Sequence, residues 1–523
     1  MSHRPYTAEE IWQAADLPAR RLAGVALNPS APTGVLLRLL ACDSAAVRMT
    51  LCRDRDLPRE VVDAVLTHPD ARTRRFLAAN PHVDPAQRAR LVEDPHWLVR
   101  AWLGAGPGYG HGRSELPEHT VVRMLTTYDQ EYLGTLYRQV PRSARWTFPS
   151  HPEPKVRAYA FTWWSELTAP EQSALLADPD KEVRERALRM GRDLDPAYVE
   201  RELPDRPCHA RTHLLMHGAL SRRVVERVLA APAGREDLAM IAGNPSLPLD
   251  VLALLTRDPD PQVRETAAGR PELTAQQRRE LAEDPHPAVR TRISLHPALT
   301  EEERAAIDYR VDSDQTFGRS DTPASLYDAA KSRRRALSSH PVLRREAACD
   351  PALPPDLVAR LSGDPDLGVR VLLAQNHPQA PADLLLRSFL EYTGRERWHL
   401  TTRPNFPRTE LAGHAEAADP MVRRLTLLDP QAPPATVDRL SADSDPDVRA
   451  DAARHPRLPP RRLTELLDDG ELAHEAAANP ALPPPVMHRL VAALDDRSRP
   501  ASRTPSATGL DGPDAALGRP DGT

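Results

Sequence analysis

Lysine is nearly missing from this 523-residue chain. Lys155, Lys181 and Lys331 are the three present, so almost all of the 69 basic residues are arginine. Against 74 acidic residues the net charge is −5, which gives no general electrostatic case for nucleic acid or an anionic membrane. No run approaches the ~20 apolar residues of a membrane span. The opening stretch, MSHRPYTAEEIWQAADLPARR, has no apolar core of a secretory signal. The four cysteines, Cys42, Cys52, Cys208 and Cys349, are scattered and form no CxxC, which argues against a disulfide framework. Aromatic residues make up only 4 %. These absences lead to the expectation of a soluble cytoplasmic protein. Arginine in place of lysine is what a GC-rich bacterial genome yields.

Proline, by contrast, is abundant. The 55 prolines are about twice average usage, which suggests disorder unless they sit at fixed helix positions. They do sit at fixed positions. Asn28-Pro29, Asp54-Arg55, Asn80-Pro81 and Gly106-Pro107 are each 26 residues apart, as are Asn244, Arg270 and His296. The frame returns at Asp350-Pro351, Asn376-His377, Asp429-Pro430, His455-Pro456 and Asn479-Pro480, with an insertion expected across 376–429. Its consensus is N-P-x-L-P-x-x-x-L-x-x-L-x-x-D-P-x-x-x-V-R-x-x-A-A-x. A fixed period of this kind is the mark of a repeat architecture.

Each unit reads as two short helices. In residues 352–361, Pro354 suits a first helical turn and Leu353, Leu357 and Leu361 make one apolar stripe. In residues 364–376, Asp364 is expected as N-cap and Pro365 as the first helical residue, with Val369, Leu372 and Leu373 as the second stripe. Helices this short are marginal alone and need neighbours on both sides.

The pattern resembles the leucine-rich repeat variant family, close to HEAT and armadillo arrays. The residues that carry it are the NP-x-LP-x3-L-x2-L-x2-DP-x3-VR-x2-AA series at 28–106, 244–307, 350–376 and 429–490. The resemblance implies an all-α, right-handed solenoid of ~26-residue two-helix repeats, α-helix alternating with a short or 3₁₀ helix. Some relatives carry an N-terminal cysteine cluster suited to an iron–sulfur centre. Cys42 and Cys52 lie inside a repeat here, so no cofactor is carried over.

The expected organisation is an N-terminal cap at 1–27, a repeat block at 28–106 and an irregular aromatic insertion at 107–150. A second block at 151–300 contains a degenerate segment, 191–243. An insertion at 301–336 follows, then a third block at 337–496 with an insertion near 386–414. A Pro/Gly/Ser/Asp-rich tail at 497–523 lacks apolar periodicity and is expected to be disordered.

Three residue sets could carry function. Aromatics cluster at the first break: Trp97, Trp102, Tyr128, Tyr132, Trp146, Trp163 and Trp164. Such residues are enriched at interface hot spots, although bulky side chains also plug irregular packing. Arginines repeat after the valine as a ladder that includes Arg48, Arg74, Arg100, Arg184, Arg264, Arg290, Arg370 and Arg449. Asp94, Asp178, Asp258, Asp284, Asp364 and Asp443 form a matching one. Stacked arginines could contact an anionic partner. With a near-neutral total charge, pairing within the fold is the favoured reading. Finally, His209, His213 and His217 lie four apart beside Cys208, a spacing that can bind zinc, but the glutamate of HExxH is missing.

No nucleophile elbow, kinase set or paired-carboxylate site stands out. The favoured reading is a monomeric, non-catalytic scaffold without metal or cofactor, binding an unidentified protein partner. Nucleic acid, bound through the arginine ladder, is the alternative, and a metal-dependent enzyme at the histidine face ranks last. A membrane is not expected as partner.

Overall fold

The computed structural model describes residues 16–107, 115–128, 135–191, 195–230, 235–311 and 327–497. The described residues are all-helical repeats, and none is in a strand. No described helix is long and apolar enough to cross a membrane. The expected tail at 497–523 lies outside the described residues beyond Arg497.

A representative repeat starts at Asn244. Its first helix, Leu249–Leu255, buries Val251, Leu252 and Leu255. Its second helix, Pro261–Ala268, begins with proline at the position that lacks a helical acceptor, and Asp260 caps it by accepting from the Gln262 N–H at 2.9 Å. Val263, Ala267 and Ala268 face the core. Both helices of such a regular repeat are α. 3₁₀ segments include Arg90–Glu93, Ala160–Glu166 and Arg395–Thr402.

The cap expected at Asp364 is two residues further on. Asp366 caps the helix Leu367–Asn376 by accepting from the Val369 N–H, whereas Asp364 accepts from the Asp366 N–H and from Arg344. The two aspartates of the D-P-D sequence therefore have separate duties: the first ties repeats together and the second starts the helix.

The residue at the Asn slot also ties repeats together. Its buried side chain donates to carbonyls at the end of the preceding repeat. Asn80 reaches Cys52 O and Arg55 O, both at 2.8 Å, and Asn244 reaches Leu215 O at 2.9 Å and Gly218 O at 2.8 Å. Arg403 does the same to His377 O at 2.9 Å.

This slot corrects the insertion expected near 386–414. His377, and not Asn376, occupies the slot after Asp350, with its Nε2 3.2 Å from Leu353 O. The Asn376 amide turns back to Leu372 O in its own helix. From His377 the frame runs to Arg403 and Asp429 without extra residues. Helix Ala382–Glu391 is an ordinary first helix, and a 3₁₀ segment, Arg395–Thr402, stands in for the second. Phe389, Leu400 and Phe406 all enter the same core.

The degenerate segment also folds into the stack where it is described. Helices Pro196–Glu202, His209–His217 and Arg222–Ala230 place Val199, Leu214, Leu215, Val224, Val225 and Val228 in one core with residues through Ile307. Within 301–336, the helices Glu301–Ala305 and Ala329–Ala336 are first helices of repeats. Residues 312–326 are outside the described set.

Two compact units result. Unit 2 spans Leu103–Ala452. Unit 1 joins Met1–Trp102 to Ala453–Thr523. Within unit 1 the first described helix, Leu17–Leu27, is not an outward-facing cap. It packs between Ala473–Ala477 and Ala45–Arg53, burying Leu22 through Ala26. The last helix, Pro484–Arg497, packs on Thr33–Leu40. One repeat is thus assembled from both parts of the chain: its first helix is Pro484–Arg497 and its second is Leu17–Leu27. Gly24 sits at the closest approach, where a Cβ would run into the His474 carbonyl.

Candidate functional site

The arginine ladder has a uniform geometry. In unit 1, Arg74 forms a fork with Asp94, with Nε–Oδ2 at 2.6 Å and Nη2–Oδ1 at 3.0 Å, while its Nη1 donates to His68 O at 2.6 Å. Arg48 donates to Asp70, Thr73 and Cys42 O, and Arg100 to Asp94 O. In unit 2, the pairs Arg157–Asp178, Arg264–Asp284, Arg344–Asp364 and Arg423–Asp443 repeat the fork at 2.6–3.0 Å. Arg290 takes Asp308 and Asp284 O, Arg370 takes Glu391 and Asp364 O, and Arg184 and Arg449 take Asp178 O and Asp443 O.

Each fork is charge-assisted and bidentate, the strong form of the interaction. The Arg157 guanidinium holds the Asp178 carboxyl below its ordinary range, and Arg423 does the same to Asp443. Ladder arginines engaged in this way have their donors directed into the fold.

The aromatic set separates into surface and core. Trp163 is buried, edge-on to Tyr159 at 5.8 Å and to Phe148 at 6.4 Å, with the Arg145 guanidinium 4.9 Å from its ring centre. Trp164 packs on the Phe161 cluster and is partly covered. Tyr128 ends the helix Glu118–Thr127 and is half-buried. Tyr132 lies outside the described residues. The expectation that Trp163 contacts a partner is therefore corrected: an irregular 3₁₀ turn folds it inward. Trp97, Trp102 and Trp146 are 51 %, 40 % and 50 % exposed.

Trp97 and Trp102 share the helix Trp97–Ala105. Trp97 stacks on His96 at 6.4 Å, and Trp102 lies beneath the Arg75 guanidinium, 4.8 Å from ring centre to Cζ. Arg75 is itself buried, at 7 % exposure. The sequence reading missed it, because Arg75 follows the ladder arginine and looks like a surface charge.

His209, His213 and His217 all lie on the exposed side of their helix, with the last two rings 5.2 Å apart. Among the described residues no three His, Cys, Asp or Glu side chains come together as a metal site.

No protein-family model matches this chain, and no curated protein does. Among solved structures, an engineered protein crystallised by a structural genomics consortium is similar at 14 % identity. The match covers 90 % of this chain and 97 % of that one, with a TM-score of 0.10.

Proposed function

We propose that this chain is a non-catalytic scaffold that binds another protein, as a member of the leucine-rich repeat variant group in a bacterial cytoplasm. The observation that carries this reading is the pair Trp97 and Trp102. Two large aromatic side chains stand half-exposed on one helix of a chain with 4 % aromatics. Exposed tryptophans on a rigid helix suit an interface anchor, since they bring much contact area at little entropic cost. The forked arginines support the same reading, because their donors are already engaged and offer little to a phosphate backbone.

The test is capture of partners from native lysate by the full chain and by a Trp97→Ala/Trp102→Ala variant, with and without nuclease. A protein retained by wild type after nuclease and lost by the variant, at unchanged thermal stability, is the expected result. Equal capture by both proteins removes this surface from the reading. Loss of every partner on nuclease treatment transfers it to nucleic acid.

A further inference from the structure

Three repeats carry a second arginine directly after the ladder arginine: Arg75, Arg345 and Arg424. Two of them have a carboxylate partner. Arg345 forks onto Asp366, with Nε–Oδ1 at 2.7 Å and Nη2–Oδ2 at 2.8 Å. Arg424 takes Asp451 at 2.6 Å and Asp447 at 3.2 Å. Arg75 alone has none: among the described residues no hydrogen bond or ion pair reaches its guanidinium, and its Nε is buried without an acceptor.

The register explains why. The ladder forks Arg74–Asp94, Arg344–Asp364 and Arg423–Asp443 each span 20 residues, so the three repeats superpose in sequence. The position that holds Asp366 for Arg345 holds His96 for Arg75. The positions that hold Asp447 and Asp451 for Arg424 hold Leu98 and Trp102. All three acidic slots around Arg75 are non-acidic. The ring contact does not replace them, because Arg424 keeps its two aspartates while lying 4.0 Å over Trp398.

A buried Nε without an acceptor is costly, and a carboxylate from outside the chain would remove that cost. We propose that Arg75 is the receptor for an aspartate or glutamate side chain of a bound protein segment, with Trp102 and Trp97 packing the apolar residues beside it. The carboxylate takes the place that Asp366 has on Arg345, and the guanidinium fork reads it in the same bidentate way. This inference rests on the reading of Trp97 and Trp102 as docking residues and adds the chemistry that is recognised beside them.

The experiment uses the full chain and an immobilised library of dodecapeptides, each with one central Asp or Glu, printed beside its Asn or Gln counterpart. The expected result is a set of binders that lose about ten- to a hundredfold in affinity when the acid becomes an amide. Arg75→Lys, which keeps the charge but not the fork, weakens the acidic binders and leaves the amide counterparts unchanged.

His96→Asp is the second variant. It puts a carboxylate of this chain into the empty slot while keeping a helix-capping side chain, so it raises the melting temperature and abolishes acidic-peptide binding. The proposal is overturned if no peptide binds, if acid and amide bind alike, or if His96→Asp binds as wild type does. Should Trp102→Ala abolish binding while His96→Asp leaves it intact, the docking surface survives and the carboxylate chemistry fails.

Discussion

The side-chain amide of Asn28 donates to the carbonyl of Asn479 at 2.6 Å and to that of Ala477 at 3.0 Å, across some 450 residues of sequence. This is the bond that Asn80 makes to Cys52 and Arg55, and that Asn479 makes to Ala453 and His455, between neighbouring repeats. The junction between the first and last repeats is therefore built to the same register as any other.

Asn28→Ala removes both bonds, leaving the Asn479 carbonyl with its bond from the Leu482 N–H alone. It is expected to lower stability by about 1–3 kcal/mol. Gly24→Val drives a side chain into the His474 carbonyl and opens the same junction. Limited proteolysis should then cut first within 16–27 or 484–497. Cleavage elsewhere at the wild-type rate would count against a junction of this strength.

The forks are worth more broken singly than removed together. Arg344 and Asp364 are both buried, so Asp364→Ala strands a guanidinium and should cost about 3–5 kcal/mol. Arg344→Met with Asp364→Leu should cost less than Asp364→Ala alone. Urea denaturation of the three variants gives the comparison, and a double variant weaker than the single one would contradict it.

Trp163 and Trp146, grouped by the sequence reading as partner-binding residues, differ in burial. Trp163→Ala empties a buried ring site and is expected to cost about 3–5 kcal/mol. Trp146→Ala, at an exposed position, should change the melting temperature little. Thermal unfolding followed by circular dichroism distinguishes the two.

Acid should weaken unit 2 in two stages. His340 is buried, stacked on Tyr309 at 4.0 Å and 3.0 Å from the Ser294 hydroxyl. Burial, and then the charges of Arg304 and Arg344, push its pKa from 6.5 down to about 4. Between those values the unfolded chain holds the extra proton, so stability falls as the pH drops through that window and levels off below it. The carboxyls held low by arginine, Asp178 and Asp443, contribute above their ordinary range and lose that contribution as the pH falls further. Equilibrium unfolding of His340→Gln should show a shallower loss between pH 6.5 and 4 than wild type. An identical slope would mean that this ring does not set it.

Much of the fold was legible because proline and aspartate recur at positions where a helix must start. The step from Asp350 to His377 was misread because Asn376 matches the consensus letter. His-Pro serves the slot as well as Asn-Pro when a ring nitrogen can reach the carbonyl of the preceding repeat. The repeat shared between Leu17–Leu27 and Pro484–Arg497 had no signal in a period count, which runs along the chain and cannot join its two ends. The unpaired Arg75 could have been found by alignment of the repeats to one another: His96 and Trp102 stand where sister repeats hold acids.

In a linear stack the outermost repeats have one neighbour and the inner ones two, so such stacks melt from their ends inward. The repeat shared by Leu17–Leu27 and Pro484–Arg497 has a neighbour on each side. In nearest-neighbour terms it is an interior repeat. Fraying has no preferred starting point there, and the amide protons of Val25 and Ala26 should exchange as slowly as those of Leu51 and Cys52.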